Sequence, residues 1–252
     1  MQIKPVYCAG VTPAMNYARK KLEQYGIHLL DHPDWNTGHL LLDVPSFRTG
    51  SPFTNQKDLD TLLSALPKDI TIWGGSLDHP GLETYHKVDF LTDETYLVKN
   101  AAITADCTLQ VAAPLLKTTW SDTPTLIIGW GRIGKYLGDL LKSLGCPVTF
   151  AVRQVSQLEK LRALGFSSVT IKEMPRCISQ FRLICNTAPS PVLSEKDVKN
   201  SGECIKIDLA SKRGIAGDDV VWARGLPGIY TPESSGNLIA NTFISKVKEV
   251  NP

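Results

Sequence analysis

The 252-residue chain has no run approaching the roughly 18 consecutive apolar residues that a membrane-spanning helix needs, so no span is expected. Its opening residues, Met1-Gln2-Ile3-Lys4-Pro5, carry no long apolar segment ahead of a small-residue cleavage site. No signal peptide and a cytoplasmic location are therefore expected. There is no Cys-x-x-Cys pair. The six cysteines (Cys8, Cys107, Cys146, Cys177, Cys185, Cys204) are widely spread, several in apolar runs, and read as reduced, buried thiols rather than a disulfide frame or zinc site. No Gly-x-Ser-x-Gly elbow or Ser/His/Asp order supports nucleophilic hydrolysis. No histidine occurs after His86, which counts against an ordinary 2-hydroxy-acid dehydrogenase with a histidine base. His28 and His32 read as turn and surface residues, because a metal needs three or four converging ligands. Charge is sparse too: 21% charged residues and a net charge of +2 give no support to a nucleic-acid or membrane-surface partner. Residues 1–118 hold 10 Lys+Arg against 13 Asp+Glu and the remainder 17 against 12, a weak hint of an anion-binding second half.

What the chain does have is 42% hydrophobic residues, enough for a sizeable core, and a length fitting one large domain or two modest ones. Short apolar runs alternate with helical patterns, so the fold class expected is α/β with parallel strands. In the first half, strands are predicted at Val6–Ala9, Ile27–Leu30, His39–Asp43, Ile70–Trp73 and Val88–Leu91. Thr12-Pro13 opens a helix whose Met15, Ala18, Leu22 and Tyr25 share a face, and Gly26 stops it. Pro45–Asn55 reads as a surface loop. A helix over Ala105–Lys117, kinked at Pro114, leads to a polar boundary at Thr118–Pro124. Strands then follow at Thr125–Gly129, Val148–Val152, Ser168–Ile171, Leu183–Asn186 and Cys204–Asp208, with helices at Ile133–Leu144, Gln157–Leu164, Pro175–Phe181 and Glu195–Asn200. Thr231-Pro232 starts a last helix reaching Val250. The expectation is a smaller N-terminal α/β domain over 1–104, packed by the C-terminal helix 232–250, and a doubly wound Rossmann dinucleotide-binding domain over 105–231.

The sharpest motif is an apolar strand running into Gly-x-Gly-x-x-Gly: Gly129, Trp130, Gly131, Arg132, Ile133 and Gly134. Gly129 permits the tight turn, Gly131 lets backbone approach a pyrophosphate, and Gly134 lets helix and strand pack closely. The following helix, with Ile133, Tyr136, Leu137, Leu140, Leu141 and Leu144 on one face, offers unpaired N–H groups and a positive dipole end to phosphate. Its bland alternative is a structural turn. The second strand ends in Arg153, 19 residues past Gly134, where an NAD enzyme usually carries an acid. A guanidinium there can hold a 2′-phosphate, so NADP is favoured over NAD, against the alternative of a solvent-facing arginine.

Further segments go beyond periodicity: Asn100-Ala101-Ala102-Ile103-Thr104-Ala105-Asp106, Cys185 to Leu193, Ile207-Asp208-Leu209-Ala210-Ser211-Lys212, and Gly225 to Gly236. With the glycine loop, they resemble the A-subunit family of bacterial dipicolinate synthase over roughly Asp93 to Val247. The resemblance implies a two-domain oxidoreductase that oxidises dihydrodipicolinate to dipicolinate in sporulating bacteria, with NADP as hydride acceptor, alongside a flavoprotein-like second subunit. A homo-oligomer acting on a small dicarboxylate is expected. Against the family pattern, Asp106-Cys107 stands for Glu-Gly, Lys212 is followed by Arg213, and Cys8-Ala9-Gly10 replaces a Gly-Gly-Asp turn. The N-terminal third is shorter, and so is the segment from Gly214 to Gly225, where a helix is expected to be lost.

Aromatisation demands positioning more than a strong base. Lys212 and Ser211 are assigned to a substrate carboxylate at the end of the fifth strand, and Asn100 and Thr104 to hydrogen bonds with substrate. Asp106 is either the proton acceptor or merely a cap of the Ala105 helix. Asn186 and Thr187 are assigned to the cofactor, an ordinary strand-to-loop turn being the alternative. Gly225-Leu226-Pro227-Gly228 reads as a rigid loop. Two other function classes stay open: a dehydrogenase for another small anionic acid, and a nucleotide-binding protein without catalysis of its own.

Overall fold

The computed structural model describes residues 3–47, 51, 53 and 55–250. Contiguity divides the chain into one unit of residues 1–100 with 227–252 and a second of 101–226, against expected limits of 104/105 and 231/232.

The first unit is built on strands β1 (Val6–Cys8), β2 (Leu29–Leu30), β3 (His39–Leu41), β4 (Thr71–Gly74) and β5 (His86–Asp89). All pair in parallel in the order β2-β1-β3-β4-β5, so the chain reverses direction across the sheet between β1 and β3. Helix α1 (Pro13–Gln24) starts where Thr12 accepts the Met15 N–H, buries Ala14, Met15, Ala18 and Leu22, and ends at Gly26 with φ +73°. Tyr25, expected on the buried face, is instead exposed, its hydroxyl 2.7 Å from Asn241 Oδ1. Strand alternation explains the two faces. Leu40, Leu42 and Ile72 meet Leu59 and Leu63 of α2 (Gln56–Ser64), a helix that sequence patterning does not reveal. His39 and Trp73 face Phe243 of the C-terminal helix Pro232–Val250, with edge-on ring separations of 4.8–5.7 Å. That helix packs against α1 so closely that a Cβ on Gly236 would lie 2.3 Å from the Ala14 carbonyl oxygen. Of the expected Pro45–Asn55 loop, residues 48–50, 52 and 54 lie outside the described residues.

Helix α3 (Glu94–Ala112) is earlier than predicted: the Asp93 carboxylate accepts the Tyr96 N–H at 2.7 Å and sets its start, and Pro114 falls in a separate 3₁₀ turn, Ala113–Leu115. The second unit carries β6 (Thr125–Ile128), α4 (Arg132–Ser143), β7 (Val148–Val152), α5 (Val155–Ala163), β8 (Ser167–Thr170), β9 (Leu183–Asn186), α6 (Glu195–Asn200), β10 (Ile205–Asp208) and β11 (Val220–Trp222). The order β11-β10-β9-β6-β7-β8, all parallel, is the 3-2-1-4-5-6 order of doubly wound dinucleotide folds, with its switch point between β6 and β9. The α/β expectation therefore holds for both sheets.

Three elements differ from expectation. Pro175–Phe181 is two 3₁₀ turns, Met174–Arg176 and Ile178–Gln180, rather than one helix. The segment from Gly214 to Gly225 holds β11, a strand too short to show a period. Buried Lys206 pins its approach by an ion pair with Asp219 at 2.7 Å, which holds the Asp219 carboxyl below the usual carboxylate range. Gly225-Leu226-Pro227-Gly228 is not a loop: after Gly225 at φ +66°, helix α7 (Leu226–Tyr230) begins. The six cysteines form no disulfide among the described residues, and burial raises the Cys8 thiol to about 12.

Candidate functional site

The C-terminal ends of β6, β7, β9 and β10 bring four loops together in the second unit. Each glycine of the first loop occupies a distinct environment. Gly129 has φ +97°, which favours glycine, and its N–H donates to the Ala151 carbonyl at 2.9 Å. A Cβ at Gly134 would sit 2.4 Å from the Gly129 carbonyl oxygen, so only glycine lets α4 start this close to β6. A Cβ at Gly131 would meet nothing within 4 Å. The loop is thus closed by protein on two sides and open at Gly131, the side from which a pyrophosphate would approach.

Gly131 is also the N-cap of α4, with no side chain bonding to the helix start and no acid in the first turn. Thr12 caps α1, Asn55 caps α2 and Ser194 caps α6, whereas α5 likewise starts without a side-chain cap, at Gln154. A glycine-capped helix start of this kind suits an anionic ligand. Trp130 lies partly buried with the Lys135 ammonium 4.8 Å from its ring centre; Arg132 is exposed, and Ile133 packs on the core. The buried face of α4 runs through Gly134, Leu137, Gly138 and Leu141, so Tyr136 and Leu144, expected inside, are exposed. The reason is Gly138: a Cβ there would lie 2.4 Å from the Phe150 ring, so this side of the helix can approach β7.

The β9 end ties the loops to one another. Thr187 donates its hydroxyl to the Ile128 carbonyl at 2.9 Å and so latches onto the glycine loop. Asn186, expected at the cofactor, braces the protein instead. It is fully buried, its Nδ2 donating to Asp208 Oδ1 at 2.9 Å and to the Ala188 carbonyl at 3.1 Å, while its Oδ1 accepts the Ala188 N–H. Those bonds use both amide donors inside the protein. Asp208, at 0% exposure, is the hub, a residue to which the sequence motifs assign no role. Its carboxylate also accepts N–H groups of Ala210, Gly214 and Ile215 at 2.6–3.1 Å. The signal for it is an acid inside an apolar strand, where a carboxylate needs dedicated donors.

Ser211 and Lys212 sit on the loop between these Asp208 anchor points, and both are exposed. Arg153, exposed at the end of β7, donates to the Ser190 hydroxyl on the loop after β9. No carboxylate among the described residues pairs with Arg153. On α3, Asn100 is half-buried and Thr104 is buried, and Asp106 is about 200° around the helix from Thr104. Asp106 is exposed, accepts a bond from Gln110 at 3.3 Å, and lies twelve residues into the helix. A capping role is thereby removed: the cap of α3 is far upstream, at Asp93.

No family model matches the chain. A D-isomer specific 2-hydroxyacid dehydrogenase from Lactobacillus delbrueckii ssp. bulgaricus, solved in its NAD-complexed form, is 11% identical and superposes with a TM-score of 0.55 over 98% of this chain and 97% of that one. The two chains share a fold. The chain is also similar to the A-subunit of dipicolinate synthase, as its motifs imply. The Bacillus subtilis (strain 168) protein is 24% identical over 164 residues, 61% of this chain and 54% of that protein, so the match spans about half the relative's length. The corresponding protein of Bacillus halodurans superposes with a TM-score of 0.79 at 18% identity, over 97% of this chain and 98% of that one.

Proposed function

We propose that this protein is an NADP-dependent oxidoreductase that converts dihydrodipicolinate to dipicolinate. The observation that carries the reading is the open Gly131 cradle at an uncapped helix start, combined with the similarity to dipicolinate synthase. The residues fit the coenzyme. Backbone N–H groups of Gly131 to Gly134 hold the pyrophosphate, and Arg153, with no acid beside it, holds the 2′-phosphate. NADP, when bound, supplies the hydride acceptor.

In this reading Lys212 and Ser211 hold a substrate carboxylate on a loop that Asp208 keeps rigid, with Asn100 and Thr104 adding hydrogen bonds. Loss of a hydride and a proton leaves an aromatic ring, so product stability favours the reaction and the site's work is orientation. Asp106, exposed to water, is the proton acceptor. Because it does not share a face with Thr104, it receives the proton through water and not from the substrate directly. The protein would work in the cytoplasm of a sporulating cell, as a homo-oligomer and beside a flavoprotein-like second subunit.

The test is titration with NADPH and with NADH, following tryptophan emission, to which Trp130 in the glycine loop contributes, and then an assay of NADP-dependent dipicolinate formation. Tight NADPH binding, weak NADH binding and turnover are expected, with Asp106→Asn lowering kcat by about 10²-fold. NADH preference with turnover of a different acid would indicate another dehydrogenase. Binding without any turnover would indicate a nucleotide-binding protein that is not itself catalytic.

A further inference from the structure

Arg153 alone is a common residue at a strand end, and a long side chain on the surface is poorly aimed. What sets this one apart is its partner. Its guanidinium donates to the hydroxyl of Ser190, a residue on the loop following β9. That loop is stiff. Ser190 stands between Pro189 and Pro191, whose rings fix their own φ and confine the residues before them. The Ser190 N–H donates to the Ala188 carbonyl at 2.9 Å. The Ser190 carbonyl oxygen lies so near Gly214 that a Cβ there would come within 2.6 Å of it. Upstream, Thr187 latches the loop to the glycine loop and Asn186 anchors it to buried Asp208.

We propose that Ser190 is a specificity-determining residue of the coenzyme site, holding Arg153 in place and completing with it a two-residue clamp for the 2′-phosphate. The inference rests on the reading of Arg153 given above and adds the group that orients it. The chemistry is complementary. The Ser190 oxygen accepts from the guanidinium, while the hydroxyl proton is still available to an anion. An arginine with one donor fixed keeps the rest of its five-donor fork for phosphate oxygens and loses less freedom on binding. A coenzyme without a 2′-phosphate makes neither contact, so the effect of Ser190 is confined to phosphorylated ligands.

Calorimetric titration of the full chain with NADPH, NADH, 2′,5′-ADP and AMP tests this in wild type, Ser190→Ala, Ser190→Thr and Arg153→Ala. Ser190→Ala is expected to weaken NADPH and 2′,5′-ADP about tenfold while leaving NADH and AMP unchanged. Ser190→Thr, which keeps the hydroxyl, restores the wild-type values. An unchanged NADPH affinity in Ser190→Ala, or equal weakening of all four ligands, overturns the proposal, the second result meaning that Ser190 only supports the loop. If Arg153→Ala leaves the NADPH-to-NADH ratio at its wild-type value, the reading of Arg153 itself fails. If Arg153→Ala removes the ratio while Ser190→Ala keeps it, Arg153 reads the phosphate unaided and only the role of Ser190 falls.

Discussion

At the scale of single residues, the glycine loop separates two effects that are usually merged. Gly131 has an extended backbone (φ −86°, ψ −164°) that alanine also adopts, and its Cβ would enter open space. Gly131→Ala should therefore change folding stability by about 1 kcal/mol or less while weakening NADPH binding, because the methyl group occupies the approach of the pyrophosphate. Gly134→Ala should do both kinds of damage. Its Cβ meets the Gly129 carbonyl, a backbone atom that cannot swing aside, and overpacking of this sort costs about 1–3 kcal/mol. Paired melting curves and NADPH titrations of the two variants check this, and equal loss of stability in both would contradict it. These glycine roles are legible in the sequence because each depends on neighbours within a few positions. The role of Asn186 is not. Its partner Asp208 is 22 residues away, and only the register of β9 against β10, pairing Asn186 with Asp208, brings the two side chains together.

At the scale of elements, four parallel strands end at one edge, and side-chain bonds rather than backbone pairing join the loops that leave them. Asp208 has the largest share, accepting from Asn186 and from three backbone N–H groups. Asp208→Ala should lower the urea midpoint by the equivalent of several kcal/mol, since each orphaned buried donor costs about 1–3 kcal/mol. A midpoint within experimental error of wild type would show that water reaches these groups. Sequence patterning succeeds where a helix or strand is long and periodic, as for β7, whose observed bounds match those expected. It fails for β11 and α2. A three-residue strand has too few positions to show alternation, and its place is decided by pairing with β10 and by the Lys206–Asp219 ion pair. The start of α3 lies eleven residues before the expected Ala105, because its Asp93 cap precedes the apolar stretch that carries the helical pattern.

At the scale of the whole molecule, pH provides a test tied to one buried group. His39 is held at about 4, below its ordinary 6.5, chiefly by burial and secondly by the nearby Lys4 charge. Its Nδ1 accepts from Trp73 Nε1 at 3.2 Å, a bond that needs the neutral ring. The folded state therefore stays unprotonated while the unfolded chain takes up a proton. Stability should be flat above about pH 7, fall as the pH drops from 6.5 toward 4, and have lost about 3 kcal/mol by then. Urea denaturation across that window measures it, and His39→Gln should remove the part of the slope due to this ring. The sequence by itself determined the α/β class, the glycine loop and the arginine at the second strand end, because periodicity, glycine spacing and strand length are local properties of the chain. Only the tertiary structure decided that Asn186 braces the loop, that Asp106 is not a cap, and that Ser190 meets Arg153. Those facts depend on strand register and on where each helix begins, which arise from contacts between residues far apart in the chain.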